Sequence, residues 1–254
     1  MMRSEARLFL TALMFFTRIP SPARLEYRPE FVSQAVKYLP AIGLLVGAIT
    51  ATAFWLAHLM FTQSVAVLLS IIVGVLVTGA FHEDGFSDAC DGLGGGSNRE
   101  DVLRIMQDSR IGAFGAIGIA LLLLLKFEAL SQLQADTVPI ALIVAHSLSR
   151  LAAASLMQTH RYLRLEGEGK SYGVAQPMSG GNFIFALIVG LLPLLWLDMK
   201  AGVVVVATVG ATRFIVGYYL SRRLGGYTGD CLGAAQQITE VMIYVSLLGV
   251  WKPM

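Results

Sequence analysis

Apolar residues follow one another with almost no interrupting charge over 40–60, 64–81, 111–130, 138–158, 181–198, 201–220 and 232–251. A helix needs about 20 such residues to cross roughly 30 Å of hydrocarbon, so the pattern predicts seven transmembrane helices. Pro40, Pro139 and the pair Gly180-Gly181 lie near predicted starts, where helix breakers are tolerated. Leu8 to Phe16 is also apolar but short, is flanked by Arg3, Arg7 and Arg18, and lacks a small-residue cleavage site. It reads as an interfacial helix rather than a signal peptide, with Pro20 and Pro22 turning the chain along the membrane surface.

The polar segments are unequal. Residues 1–39 carry six Lys or Arg, 82–110 three, 159–180 three and 221–231 two, fourteen in all, against Lys200 and Lys252 on the alternate side. Basic loops are retained in the cytoplasm, so the amino terminus is expected inside, the carboxyl terminus outside, and every long loop on the cytoplasmic face. Composition agrees: 56% of the 254 residues are hydrophobic, 14% are charged and the net charge is +2, with a mean hydropathy of +0.67. That excludes an ordinary soluble domain and a nucleic-acid-binding chain. Cys90 and Cys231, far apart and each beside an Asp, suggest neither a disulfide framework nor a zinc site. The expected fold is therefore all-α, one polytopic membrane helix bundle in a single domain. Residues 1–39 form its interfacial segment, 82–110 an acidic loop and 159–180 a lid loop.

Chemistry concentrates in the loop His82-Glu83-Asp84-Gly85-Phe86-Ser87-Asp88-Ala89-Cys90-Asp91-Gly92. Asp84, Asp88 and Asp91 are spaced i, i+4, i+7, so a helix through them carries three carboxylates on one side. Like charges on one stripe repel, and a hard divalent cation is the usual remedy. Mg²⁺ takes one or two carboxylates plus substrate phosphate oxygens, which points to phosphoryl transfer; a solvated acidic turn is the plain alternative. Gly92 and the run Gly94-Gly95-Gly96 read as a hinge, and Ser97-x-x-Glu100 as a capping box opening a helix over 98–109. Asp108 at its end is placed to join the stripe as a fourth ligand and Arg110 to meet an anion, the alternative being a surface Asp-Arg pair.

Ionisable residues within spans are site candidates by default. Arg150, one turn after His146, is the strongest, within reach of phosphate at the acidic loop, although a structural pair with Glu240 is an equal reading. Lys126 and Glu128 offer no convergent site, and Arg213 lies inside the sixth span. The glycine-rich turn Gly225 to Gly233 sets Asp230 at a helix start, where it either caps or joins the metal site. The lid loop holds His160, Arg161, Arg164 and Lys170, with His160 a candidate base.

Four strings carry a resemblance: Phe16-Thr17-Arg18-Ile19-Pro20, Gly79-x-x-His82-x-Asp84-Gly85-x-x-Asp88-x-x-Asp91-Gly92, Met106-x-Asp108-Ser109-Arg110-x-Gly112, and Thr228-Gly229-Asp230-x-Leu232-Gly233-Ala234. In order and spacing they resemble the cobalamin synthase (adenosylcobinamide-GDP ribazoletransferase) family over nearly the whole chain. The resemblance implies a Mg²⁺-dependent reaction at the inner membrane in which α-ribazole or its 5′-phosphate displaces GMP from adenosylcobinamide-GDP. Taken with the residue chemistry, the expected catalytic residues are Asp84, Asp88, Asp91, His82 and Arg110. Expected metal ligands are Asp84, Asp88, Asp91 and Asp108, and expected substrate contacts Arg18, Arg150, Arg161, Thr228 and Asp230. The lipid bilayer is the expected surroundings, nucleic acid is not a partner, and a homo-oligomer is compatible with these features. A CDP-alcohol phosphatidyltransferase shares Asp88-x-x-Asp91-Gly92 but needs an Ala-Arg and a closing Asp pair that are absent here. A transporter would place its acids near the midplane, not on one face.

Overall fold

The computed structural model describes residues 2–20, 29–163 and 177–251. Eleven α-helices follow one another: α1 (Met2–Phe16), α2 (Pro29–Ala35), α3 (Leu39–His58), α4 (Gln63–Thr78), α5 (Phe81–Gly95), α6 (Arg99–Met106), α7 (Ala113–Ser131), α8 (Val138–Thr159), α9 (Gly180–Leu191), α10 (Met199–Leu224) and α11 (Gly229–Trp251). The one β feature among the described residues is an isolated bridge between Tyr162 and Tyr227.

All seven predicted stretches are helical, but they are not equally long. Five helices are long and apolar enough to cross a membrane: the run Phe31–His58 containing α3, and α7, α8, α10 and α11. α4 ends at Thr78, where Gly79 takes φ +66°. The chain then leaves α4 by 90° into α5. α9 ends at Leu191 and passes into a 3-10 turn, Leu192–Trp196, with Pro193 at its start; proline has no N–H to continue the ladder. Hydropathy reports how apolar a stretch is, and neither break interrupts the apolar run, so the sequence could not separate these shorter helices from full spans.

Burial sorts the spans. Of their apolar windows, 83% of α8 and 67% of α11 is buried inside the protein, against 28% of α7 and 22% of α10. α8 and α11 are therefore the central helices, while α7 and α10 give most of their surface to lipid. α3 lies along α8 because Gly43 and Gly47 share one face: a Cβ at Gly43 would stand 2.3 Å from the His146 carbonyl oxygen, and one at Gly47 2.7 Å from the Ile143 Cα. Small residues four apart let helix backbones approach this closely. The amino-terminal apolar stretch is a 15-residue helix burying Leu8, Ala12, Leu13 and Phe16, and Glu5 ties it to Lys37 at 2.7 Å and accepts a hydrogen bond from Tyr38 at 2.5 Å.

Candidate functional site

The site begins at the corner between α4 and α5. Gly79 and Ala80 both adopt left-handed backbone, φ +66° and +59°, and their amides close back on Leu76 and Val75 carbonyls at 3.3 and 3.0 Å, which ends α4 and redirects the chain. Arg18 is built onto this corner. Its amide donates to the Val77 carbonyl at 2.7 Å, and its side chain lies over Gly79, where a Cβ would meet Nε at 2.2 Å. The Phe16 to Pro20 string thus docks the amino-terminal helix beside the acidic helix.

α5 lies across the loop-bearing end of the bundle, and it does not present its three acids alike. Asp91 is buried, its Oδ2 accepting from the Gly112 amide at 2.7 Å and its Oδ1 from the Gly115 amide at 2.8 Å. Both oxygens therefore cap α7, where a carboxylate meets the positive end of the helix. Expected as a metal ligand, Asp91 here has both oxygens engaged by amides and anchors α5 to α7. Asp84 is exposed and Asp88 half-buried, and neither carboxylate has a hydrogen-bond or ion-pair partner among the described residues. Burial and the neighbouring charges of Asp84 and Asp91 push the Asp88 carboxyl up to about 6. Gly115→Ala tests the anchor, since its Cβ would stand 2.3 Å from Asp91 Oδ2 and 2.5 Å from Ser87 Oγ. We expect it to lower stability by about 1–3 kcal/mol, read as thermal unfolding in detergent.

The second acidic expectation is also corrected. Asp108 does not close on the stripe: its Oδ1 accepts from the Arg110 amide at 3.1 Å and from Nε at 3.0 Å, and its Oδ2 from Nη2 at 2.7 Å. This Asp-x-Arg loop holds the Asp108 carboxyl down to about 2 and leaves Arg110 86% exposed with its fork already occupied. Nor are the glycines a hinge. α5 stays helical to Gly95, because Gly92 seats on Met106 and Gly94 on the Phe114 ring. The cap of α6 is Asn98, accepting from the Asp101 amide at 2.9 Å, rather than Ser97, whose hydroxyl donates to the Asp101 side chain at 2.7 Å. Among the described residues no group of three or more His, Cys, Asp or Glu side chains is arranged to hold a metal ion.

α11 supplies the opposite wall. A Cβ on Gly85 would lie 3.0 Å from the Asp230 Cα, and one on Gly233 3.0 Å from the His82 carbonyl oxygen, so α5 and α11 cross at glycine contacts. The crossing brings Asp84, His82 and Asp230 to one cavity of ≈ 260 Å³, lined otherwise by aromatic and aliphatic residues and glycines. His82 is buried, and its Nδ1 has no partner. Thr228 is not a substrate contact in this arrangement: it is fully buried, accepting from the Cys231 amide at 3.3 Å as the cap of α11. Arg161 is exposed, and its carbonyl accepts from the Tyr227 amide at 2.9 Å while the Leu163 amide donates to the Tyr227 carbonyl at 2.8 Å. The root of the lid loop is thereby stitched to the α10–α11 turn; residues 164–176 of that loop, with Arg164 and Lys170, lie outside the described residues. His160 faces Gly217 of α10 and bonds Thr159 at 2.8 Å.

Arg150 is placed differently from expectation. It is 1% exposed inside the bundle, its Nη1 donating to the His146 carbonyl at 3.0 Å. Around it Glu240 binds Lys126 at 2.8 Å and lies 3.2 Å from His146 Nδ1, while Gln237 accepts from Lys126 and donates to Glu83, each at 3.0 Å. Lys126, read from sequence as offering no convergent site with Glu128, pairs with Glu240 instead, because α7 and α11 pack side by side. Lys126, Gln237 and Glu83 were missed as one group; the available signal was the spacing of Gln236, Gln237, Glu240 and Tyr244 on one side of α11. Arg213 bonds Ser155 Oγ at 3.2 Å and Thr159.

These features define a polytopic helical membrane protein with an acidic, aromatic-walled site at the loop-bearing end of its bundle. A family model described as Cobalamin-5-phosphate synthase matches residues 8–248, and the chain belongs to that family. A protein of Shewanella amazonensis named adenosylcobinamide-GDP ribazoletransferase is 44% identical over 254 residues, 98% of each chain. One of Ralstonia pickettii with the same name is 45% identical over 250 residues, 97% of each chain. No solved structure matches.

Proposed function

We propose that this protein is an adenosylcobinamide-GDP ribazoletransferase acting at the cytoplasmic face of the inner membrane. The observation that carries the reading is similarity over essentially the full length to relatives of that name. In the reaction a hydroxyl oxygen of α-ribazole, or of its 5′-phosphate, forms a bond to the cobinamide-side phosphorus. The bond from that phosphorus to the GMP oxygen breaks, and the hydroxyl proton passes to a base. Asp84 and Asp88 are the residues that would hold Mg²⁺, because both carboxylates lack partners among the described residues and stand one helical turn apart. Bound there, Mg²⁺ would neutralise charge on the non-bridging and leaving oxygens. His82, buried at the cavity wall beside Asp84 with Nδ1 unpartnered, is the base the geometry favours; Asp230 is across the same cavity. Arg18 is a cation fixed at the α4–α5 corner by its own backbone bond to Val77.

Purified protein supplied with adenosylcobinamide-GDP, α-ribazole and Mg²⁺ should release one GMP per cobalamin formed, and absence of GMP release would sink the assignment. Sidedness follows from the fourteen-to-two distribution of basic residues. In intact cells a membrane-impermeant maleimide should label Phe61→Cys, in the loop between α3 and α4, and reach Gly95→Cys only after permeabilisation. The reverse pattern would invert the orientation. Both positions are exposed, and a side chain at Gly95 meets nothing closer than Ile105 Cδ1 at 3.6 Å.

A further inference from the structure

The cavity between α5 and α11 has a composition that metal and phosphate chemistry do not require. Phe15, Phe16 and Phe81 pack edge to face with centroids 4.9 to 5.8 Å apart, and Tyr162 and Tyr227 form a second such pair at 5.6 Å. All five line the same space of ≈ 260 Å³ together with Leu39 and Met157 of the core, and no Lys or Arg among the described residues lines it. One of these five, Tyr227, and one further lining residue, His82, are deeply buried with a polar atom unpartnered among the described residues: the Tyr227 hydroxyl and His82 Nδ1, in residues only 1% and 4% exposed. Buried polar groups are normally hydrogen-bonded, and these two atoms, each in a lining residue but enclosed in this arrangement, would gain partners when the wall adjusts around a ligand.

We propose that this cavity binds the apolar aromatic base of the nucleoside acceptor, with the sugar directed to the rim where Asp84 and Asp230 stand. The assignment rests on the transferase reading above and separates its two substrates. Pockets that enclose drug-sized ligands run from roughly 300 to 1,000 Å³, so this one takes a benzimidazole-type base and part of a ribose but not a corrin ring. Guanine is the competing aromatic base. Its edge carries several donors and acceptors; the carboxylates that could meet them, Asp84 and Asp230, are the more exposed members of the lining, and burying that edge among Phe, Leu and Met is costly. A dimethylated benzimidazole exposes carbon to the aromatic rings, and its ring nitrogen and the ribose hydroxyls are the kind of partners that Tyr227 and His82 lack. The arrangement also sets the acceptor hydroxyl beside the carboxylates proposed to hold the metal, so one cavity orients the nucleophile toward the diphosphate.

Two variants test this with the full-length enzyme in detergent. Phe81→Ala removes a ring that is 44% exposed, and Tyr227→Phe removes only the orphan hydroxyl while keeping the ring packed. The KM for α-ribazole should rise about tenfold or more in the first and about fivefold in the second, the loss of one hydrogen bond. The KM for adenosylcobinamide-GDP should stay within about twofold. Titration of α-ribazole alone, followed by its benzimidazole fluorescence, should show the same weakening without turnover. A rise confined to the KM for adenosylcobinamide-GDP would assign the cavity to guanine and overturn the proposal, as would unchanged constants in both variants. Should the wild-type protein release no GMP, the transferase reading fails, while the fluorescence titration still decides whether the cavity takes the nucleoside.

Discussion

Glu240→Leu is expected to destabilise the protein by about 3–5 kcal/mol, the cost of leaving buried charge without its counter-ion. Glu240 is 1% exposed on α11, and its carboxylate takes up Lys126 at 2.8 Å, Gln236 at 2.7 Å and the Tyr244 hydroxyl at 3.3 Å. Without it, Lys126 and Arg150 remain inside the bundle with little anionic compensation, Glu83 being the other acid that meets this group. Water cannot readily take over, because the adjoining polar cavity measures only ≈ 20 Å³, about one water's worth of space. A second change discriminates: Lys126→Met combined with Glu240→Leu removes both charges and should cost clearly less than the sum of the single changes. Thermal unfolding in detergent reads all three variants. Additive losses would show that the pair is not coupled and that the cluster holds the bundle through packing alone. The cluster also reaches the site, since Gln237 donates to Glu83 and Glu83 immediately precedes Asp84. Holding Glu83 inward fixes the rotation of α5 that leaves Asp84 and Asp88 outward.

The helices, including the one through Asp84, Asp88 and Asp91, were legible in the sequence because they rest on local properties: a run of apolar residues, and carboxylates at helical spacing. What each carboxylate does was not local. Asp91 looks equivalent to Asp88 until Gly112 and Gly115, 21 and 24 residues later, deliver their amides to it. For Asp108 the sequence left a fourth ligand and a surface pair with Arg110 both open, and only the backbone after α6, which curls Arg110 onto it, decides for the pair. Glycine was misread for a similar reason. In sequence Gly94-Gly95-Gly96 suggests freedom, whereas in the fold the missing Cβ atoms at Gly92 and Gly94 are occupied by Met106 and Phe114. The sharp turn from α4 into α5 is unmarked by proline, and Ala80 takes φ +59° there, a conformation that costs a non-glycine residue roughly 1–2 kcal/mol. The bridge from Lys126 to Gln237 and Glu240 spans more than 100 residues, so only packing could reveal it.

Asp84→Asn and Asp88→Asn should each lower turnover on the order of a hundredfold or more, about 2.7 kcal/mol of barrier, with the protein still inserted and stable. Asn preserves shape and hydrogen bonding while removing the charge that a divalent cation needs. Asp84 and Asp88 have no structural partner among the described residues to lose, so an effect on activity cannot be traced to a broken contact there. Their neighbours serve as internal controls. Asp91→Asn keeps one oxygen acceptor for two amides, so its loss of activity should track a loss of stability. Asp108→Asn and Arg110→Lys alter an exposed pair and should change turnover by less than about threefold, since exposed ion pairs contribute little. Titrating Mg²⁺ completes the test: a ligand variant should need more metal for half-maximal activity, and Mn²⁺ should restore part of the rate. If both Asn variants keep wild-type turnover and an unchanged Mg²⁺ requirement, α5 does not hold the metal. The two unpartnered carboxylates would then be a solvated face of the helix, and the diphosphate would have to be bound by other groups around the cavity.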